Sequence, residues 1–170
     1  MSASALALAA RLVELAAVVE SLDDVTYVAA RRDGVSGSIG AHVRHTLDHV
    51  AAVLEPATAD VIDYDTRRRG TEIETRRSGA AAELRRLARA LQSSGPAFDR
   101  RVELSAVIDP TGRRVRAEST LERELVFTLS HTIHHQAIVA LLMADAGRTT
   151  PARFSLAPST PSRVPCAQSA

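Results

Sequence analysis

All six histidines of the chain fall in two short segments, IGAHVRHTLDHV at 39–50 and SHTIHHQAIVALLM at 130–143. Both segments read as helix, and both space their histidines at i, i+3 or i+4: His42, His45 and His49 in the first, His131, His134 and His135 in the second. Two imidazoles at i, i+4 share one helix face and can present their nitrogens to one metal ion. At about 100° per residue, His131 and His135 join an inward stripe with Leu121, Glu124, Thr128, Val139 and Leu142. His134 turns aside, near Phe127 and Ile138. In the other segment His42, His45 and His49 lie within roughly 60° of one another. They flank an apolar side centred on Val43, Leu47 and Val50, with His42 and His49 nearer that centre. Two facing helices would thus each offer imidazoles to one point in a helical core, a common way to build a metal site. Imidazole donors favour zinc, nickel, copper or iron over magnesium or calcium. Three histidines leave coordination positions open for water or substrate, which is the catalytic rather than the structural pattern. No CxxC or HExxH motif is present to narrow the metal. Spacing leaves open which of His42, His45 and His49 would be the ligand. It also leaves open a hydrogen-bonded histidine core or a dimer contact without metal.

The elements that must position these residues follow from the remaining pattern. The chain has 170 residues, 45% of them hydrophobic but only 3% aromatic, so a single domain with an Ala, Leu and Val core is expected. Leu8, Leu12, Leu15 and Val19 repeat at helical spacing and predict a first helix over about 3–22, with Asp23-Asp24 as a turn. Ser38 is a plausible cap for a second helix over 39–54, which stops before Pro56. Residues 57–79 are polar and interrupted by Gly70 and Gly79, and read as a long, partly ordered connection with room for a short turn of helix. Leu84, Leu87 and Leu91 make the buried stripe of a third helix over 80–93. RVELSAVI at 101–108 alternates, DPTG turns, and RRVRAE returns, which signals a β-hairpin. A capping box, Ser119-Thr120-Leu121-Glu122, opens the last helix, which Gly147 ends. The expected fold is therefore all-α, a four-helix bundle over 1–147 with a small hairpin in the crossover before the last helix. Residues 148–170, rich in proline, read as an extended tail.

Charge and cysteine content exclude other classes. With 21 basic and 20 acidic residues the net charge is about +1, which argues against a general nucleic-acid binder. The lone Cys166 excludes an internal disulfide and a Cys-rich zinc site, and fits a reducing cytoplasm as a passive thiol. The apolar N-terminus lacks a basic leader and is interrupted by Arg11 and Glu14, so it reads as an amphipathic helix rather than a signal peptide. No stretch of the sequence reads as long and apolar enough to span a membrane.

With HVRHTLD at 42–48 and HTIHHQAIVALLM at 131–143, the chain resembles the DinB/YfiT-like superfamily. The resemblance implies a four-helix bundle holding a divalent metal through three histidines, one from the second helix and an HxxxH pair from the last. It matches His131 and His135 to that pair. The His45-Thr46-Leu47-Asp48 run matches the form of the second-helix ligand, which selects His45. FSLAPSTPS at 154–162 and IDYDTRRRG at 62–70 are similar to a subgroup with no assigned reaction. The superfamily includes thiol S-transferases and a thiol-dependent isomerase. It therefore implies a divalent metal and a low-molecular-weight thiol acting on a small-molecule substrate; with the readings above, a cytoplasmic homodimer using zinc, nickel or iron is expected. A non-catalytic metal-binding or stress-related protein, or a structural dimerisation module, is the alternative. Around such a site Asp48 would orient an imidazole or be an exposed helix charge. His49 and His134 would be general base, outer partner or packing. Arg67, Arg68 and Arg69, beside Tyr64 and Asp65, would clamp a carboxylate or form a solvated loop. His42 would be base, outer partner or packing.

Overall fold

A computed structural model describes residues 2–30, 37–54, 60–65, 71–93 and 100–161. Helix α1 spans Ala3–Glu20 and opens on Ser2, whose hydroxyl accepts from the amides of Ser4 and Ala5. A second short helix, α2 at Asp24–Val28, follows directly. Asp23 is not a simple stop: its carboxylate caps α2 by accepting from the Thr26 amide. Helix α3 covers Ile39–Leu54, α4 Arg77–Ser93 and α5 Leu121–Asp145. Ser38 Oγ accepts the Ala41 amide at the start of α3.

The four long helices touch in the cyclic order α1, α4, α3, α5. Between them lie Leu8, Leu12 and Leu15 of α1, Val43 and Val50 of α3, Leu84, Leu87 and Leu91 of α4, and Leu125 and Val139 of α5, all buried. Apolar residues at three- and four-residue spacing put one stripe of each helix inside, which is why these four segments hold. The described tail also contributes. Phe154 is buried in the core, and Arg11 of α1 holds the carbonyl of Leu156 at 3.0 Å, so this part of the tail is docked rather than extended.

The all-α class does not hold. Strands β1 (Val61–Asp63), β2 (Arg101–Val107) and β3 (Arg114–Thr120) form a mixed sheet in the order β1-β2-β3. The expected hairpin is its β2-β3 half, antiparallel with Val102 opposite Ser119 and Leu104 opposite Ala117. The added strand, β1, runs parallel to β2 with Ile62 opposite Leu104. Parallel pairing requires a crossover, and here a 3-10 turn at Glu72–Glu74 and α4 supply it. Within residues 57–79 the short helical turn is the 3-10 turn, while β1 and the start of α4 at Arg77 are additions to the expected connection. The cap of α5 also shifts. Thr120, the last residue of β3, caps the helix by accepting from the Arg123 amide; the Ser119 hydroxyl donates to Glu124, and Glu122 accepts from Ser2 and Ser4.

Helix α5 meets the length and composition of a membrane-crossing helix, contrary to the sequence expectation, and is the one described helix that does so. Less than half of that apolar window is buried. Its inward side carries Glu124, Thr128, Thr132, His135 and Gln136, and it packs on α1 and α3.

Candidate metal centre

The site lies between α3 and α5, which are direct neighbours. Three histidines meet there. His131 Nε2 is 3.0 Å from His45 Nε2 and 3.2 Å from His135 Nε2. One donor nitrogen from each of His45, His131 and His135 lies within 4.8 Å of the other two, and this trio is the metal-competent group among the described residues. His135 is buried, while His45 and His131 keep partial access to solvent. Burial first, and then the neighbouring imidazoles of His131, His45, His42 and His134, push the His135 pKa from 6.5 down to about 2. His135 is thus held as a neutral imidazole, the form that donates a lone pair to a cation.

The other two histidines of α3 flank the trio. His42 brings Nδ1 to 3.1 Å from His135 Nδ1. His49, buried, points Nδ1 at the His45 carbonyl at 3.1 Å; a carbonyl only accepts, so Nδ1 carries the proton. The His49 ring stacks on His131, with centroids 4.1 Å apart and an interplanar angle of 26°. His134 is exposed, its ring 5.2 Å from that of His135 and 6.2 Å from that of His131.

Of the remaining sequence candidates, Tyr64 reaches the site. Its ring lies parallel to His49 at 4.9 Å and 12°, and it also meets Phe127 at 5.3 Å. Its hydroxyl donates to Glu124 Oε2 at 2.8 Å. Burial raises the Tyr64 pKa above its ordinary value, so the phenol keeps its proton. Asp48 pairs with Arg44, which also pairs with Glu74; this ties α3 to the 3-10 turn. Asp65 serves the sheet, its carboxylate accepting the Val107 amide at 2.6 Å at the end of β2. Arg67, with its neighbours Arg68 and Arg69, and Cys166 lie outside the described residues.

Two side chains at the site were not singled out from sequence. Phe127 stacks on His131 with centroids 5.9 Å apart. Glu124 is fully buried, and Ser119, Arg123 and Tyr64 all donate to it. A signal for Glu124 existed: it sits on the inward stripe of α5 seven residues before His131, where an apolar residue is the ordinary choice.

No family model matches this chain, and no solved structure matches it. It is similar to FK506-binding protein 5 of Rhizopus delemar, with 30% identity over 115 residues. That match covers 66% of this chain and 30% of the relative, so the chain spans less than a third of that protein's length.

Proposed function

We propose that this protein binds one divalent transition-metal ion through His45, His131 and His135. Zinc, nickel or iron suits the all-imidazole donor set. The observation that carries this reading is the convergence of the three Nε2 atoms. Ligand nitrogens at about 2.0–2.1 Å from a tetrahedral ion stand about 3.3–3.4 Å apart, close to the 3.0 and 3.2 Å found here. The outer partners suit the same reading. With His135 Nε2 turned to the common point, its Nδ1 carries the proton and donates to His42 Nδ1, which fixes the ring and its tautomer.

Three protein donors leave positions open, and the bound ion would supply Lewis acidity toward a thiol or a carbonyl group. The resemblance to the DinB/YfiT-like superfamily supports thiol S-transfer or isomerisation with a low-molecular-weight thiol as the reaction class; a cytoplasmic homodimer is the setting we propose for it. A second reading, a metal-free core of hydrogen-bonded imidazoles, draws on the same nitrogen–nitrogen contacts.

Elemental analysis of the purified protein separates the two readings. One ion per chain, lost on His131→Ala, supports the metal centre. Protein that takes up none of zinc, nickel or ferrous iron at micromolar concentration leaves the imidazole core in its place. Metal-loaded protein assayed with a panel of thiols and electrophiles then tests the reaction class.

A further inference from the structure

Glu124 is a carboxylate fully buried on the core face of α5, in a position where an apolar side chain would be cheaper. Both of its oxygens are occupied. Oε1 accepts from Ser119 Oγ at 2.6 Å and Arg123 Nη1 at 2.8 Å, and Oε2 accepts from the Tyr64 hydroxyl at 2.8 Å. Only the second of these leads toward the histidines. Seven residues of helix, about 10 Å, separate Glu124 from His131, so the connection leaves α5 and returns to it. It passes through Tyr64, which follows β1, to the parallel ring of His49 on α3 at 4.9 Å, and from His49 to the His131 ring at 4.1 Å. His49 cannot turn freely within this stack, because its Nδ1–H is held by the His45 carbonyl. Phe127 closes the circuit, touching both Tyr64 and His131. Of the five Phe and Tyr residues in the chain, two are placed here.

We propose that Glu124 is a positioning residue for the three-histidine centre, acting through Tyr64 and His49 to fix the plane of the His131 imidazole. This deepens the metal reading above and rests on it for its effect on affinity; the effect on the rings does not depend on a metal. A carboxylate that served only to join the sheet to α5 would matter for stability and not for the geometry at His131. The two roles are therefore separable.

The test compares Tyr64→Phe and Glu124→Gln with Ser4→Ala. The last loosens the start of α5 by removing a bond to Glu122, away from this circuit. Cobalt(II) is the probe, read by its visible absorption bands and by titration. The expected result is that Tyr64→Phe and Glu124→Gln shift the bands and weaken cobalt binding about tenfold, while Ser4→Ala lowers the melting temperature and leaves both unchanged. In metal-free protein, nitrogen-15 imidazole spectra should show the His49 and His131 resonances displaced in Tyr64→Phe. Bands, affinity and resonances that match the unaltered protein in both variants overturn the proposal, as does an equal shift in Ser4→Ala. Should the unaltered protein take up no cobalt, the metal reading falls by itself, and the imidazole spectra still decide whether Glu124 orients the rings.

Discussion

His45 Nε2 and His131 Nε2 stand 3.0 Å apart although 86 residues separate them in the chain. Two imidazoles on different helices meet nitrogen to nitrogen, and the Nε2 of His135 completes the group at 3.2 Å. This arrangement sets an order for alanine substitution. His45→Ala, His131→Ala and His135→Ala each remove a donor and are expected to weaken cobalt or zinc binding by more than about a hundredfold, beyond the range of outer partners. His42→Ala removes the partner of His135 Nδ1 and is expected to cost about tenfold. The exposed His134 lies outside the trio, and His134→Ala should bind as the unaltered protein does. Calorimetric titration of the five variants checks the order, and a His134→Ala loss equal to that of His131→Ala breaks it.

Acid should destabilise the metal-free protein, and the sign follows from His135. Its folded pKa is lowered from 6.5 to about 2, while in the unfolded chain the ring takes a proton near its ordinary value. The unfolded state therefore binds more protons throughout that interval. The stability linked to His135 is fully present above pH about 6.5. It is lost progressively as pH falls from there toward the folded pKa of about 2. Urea denaturation of metal-free protein should give a lower midpoint at pH 5 than at pH 7.5. In His135→Gln the difference should shrink. A midpoint that rises on acidification would contradict this account of the cluster.

The inward stripe of α5 was legible because the helix is 25 residues long and its pattern repeats through several turns. Glu124, Thr128 and His135 are all buried as that pattern implies. The α3 histidines were harder, since α3 packs on both α4 and α5. Its apolar side is shared between two neighbours, so nearness to that centre did not identify the histidine whose Nε2 meets that of His131. Strand β1 was illegible for a different reason. Three residues are too few to show alternation, and the partner of Ile62 is Leu104, across the whole of α4. The all-α expectation failed on that strand together with the hairpin. The placement of Tyr64 could not be foreseen either, since it depends on β1 carrying the chain to the end of the site.

Gly40 shows how tightly α3 is held against the segment that leads into α4. A Cβ at this position would overlap the Glu74 carbonyl and lie 2.9 Å from Tyr27 Cε1. The carbonyl is backbone, and Tyr27 is fixed by donating its hydroxyl to the Ile73 carbonyl at 2.8 Å, so neither neighbour can yield cheaply. Gly40→Ala is expected to destabilise by about 1–3 kcal/mol through overpacking, read as a lower urea midpoint. Because Gly40 lies close before His42 and His45 on α3, metal affinity should fall as well. A variant as stable as the unaltered protein would show that the contact relaxes without cost.

Phe154 makes the described tail part of the fold. Its ring is 2% exposed although it follows Gly147, which ends α5 with a positive φ of 68°. Arg11 reinforces the docking from α1 by donating to the Leu156 carbonyl. A buried phenylalanine truncated to alanine leaves a cavity, so Phe154→Ala is expected to cost about 3 kcal/mol. The bond from Arg11 is partly solvated, so Arg11→Ala should cost less, about 1 kcal/mol. Chemical denaturation of both variants measures the difference. An order in which Arg11→Ala costs more than Phe154→Ala would mean that polar contacts, and not burial of the ring, hold the tail on α1.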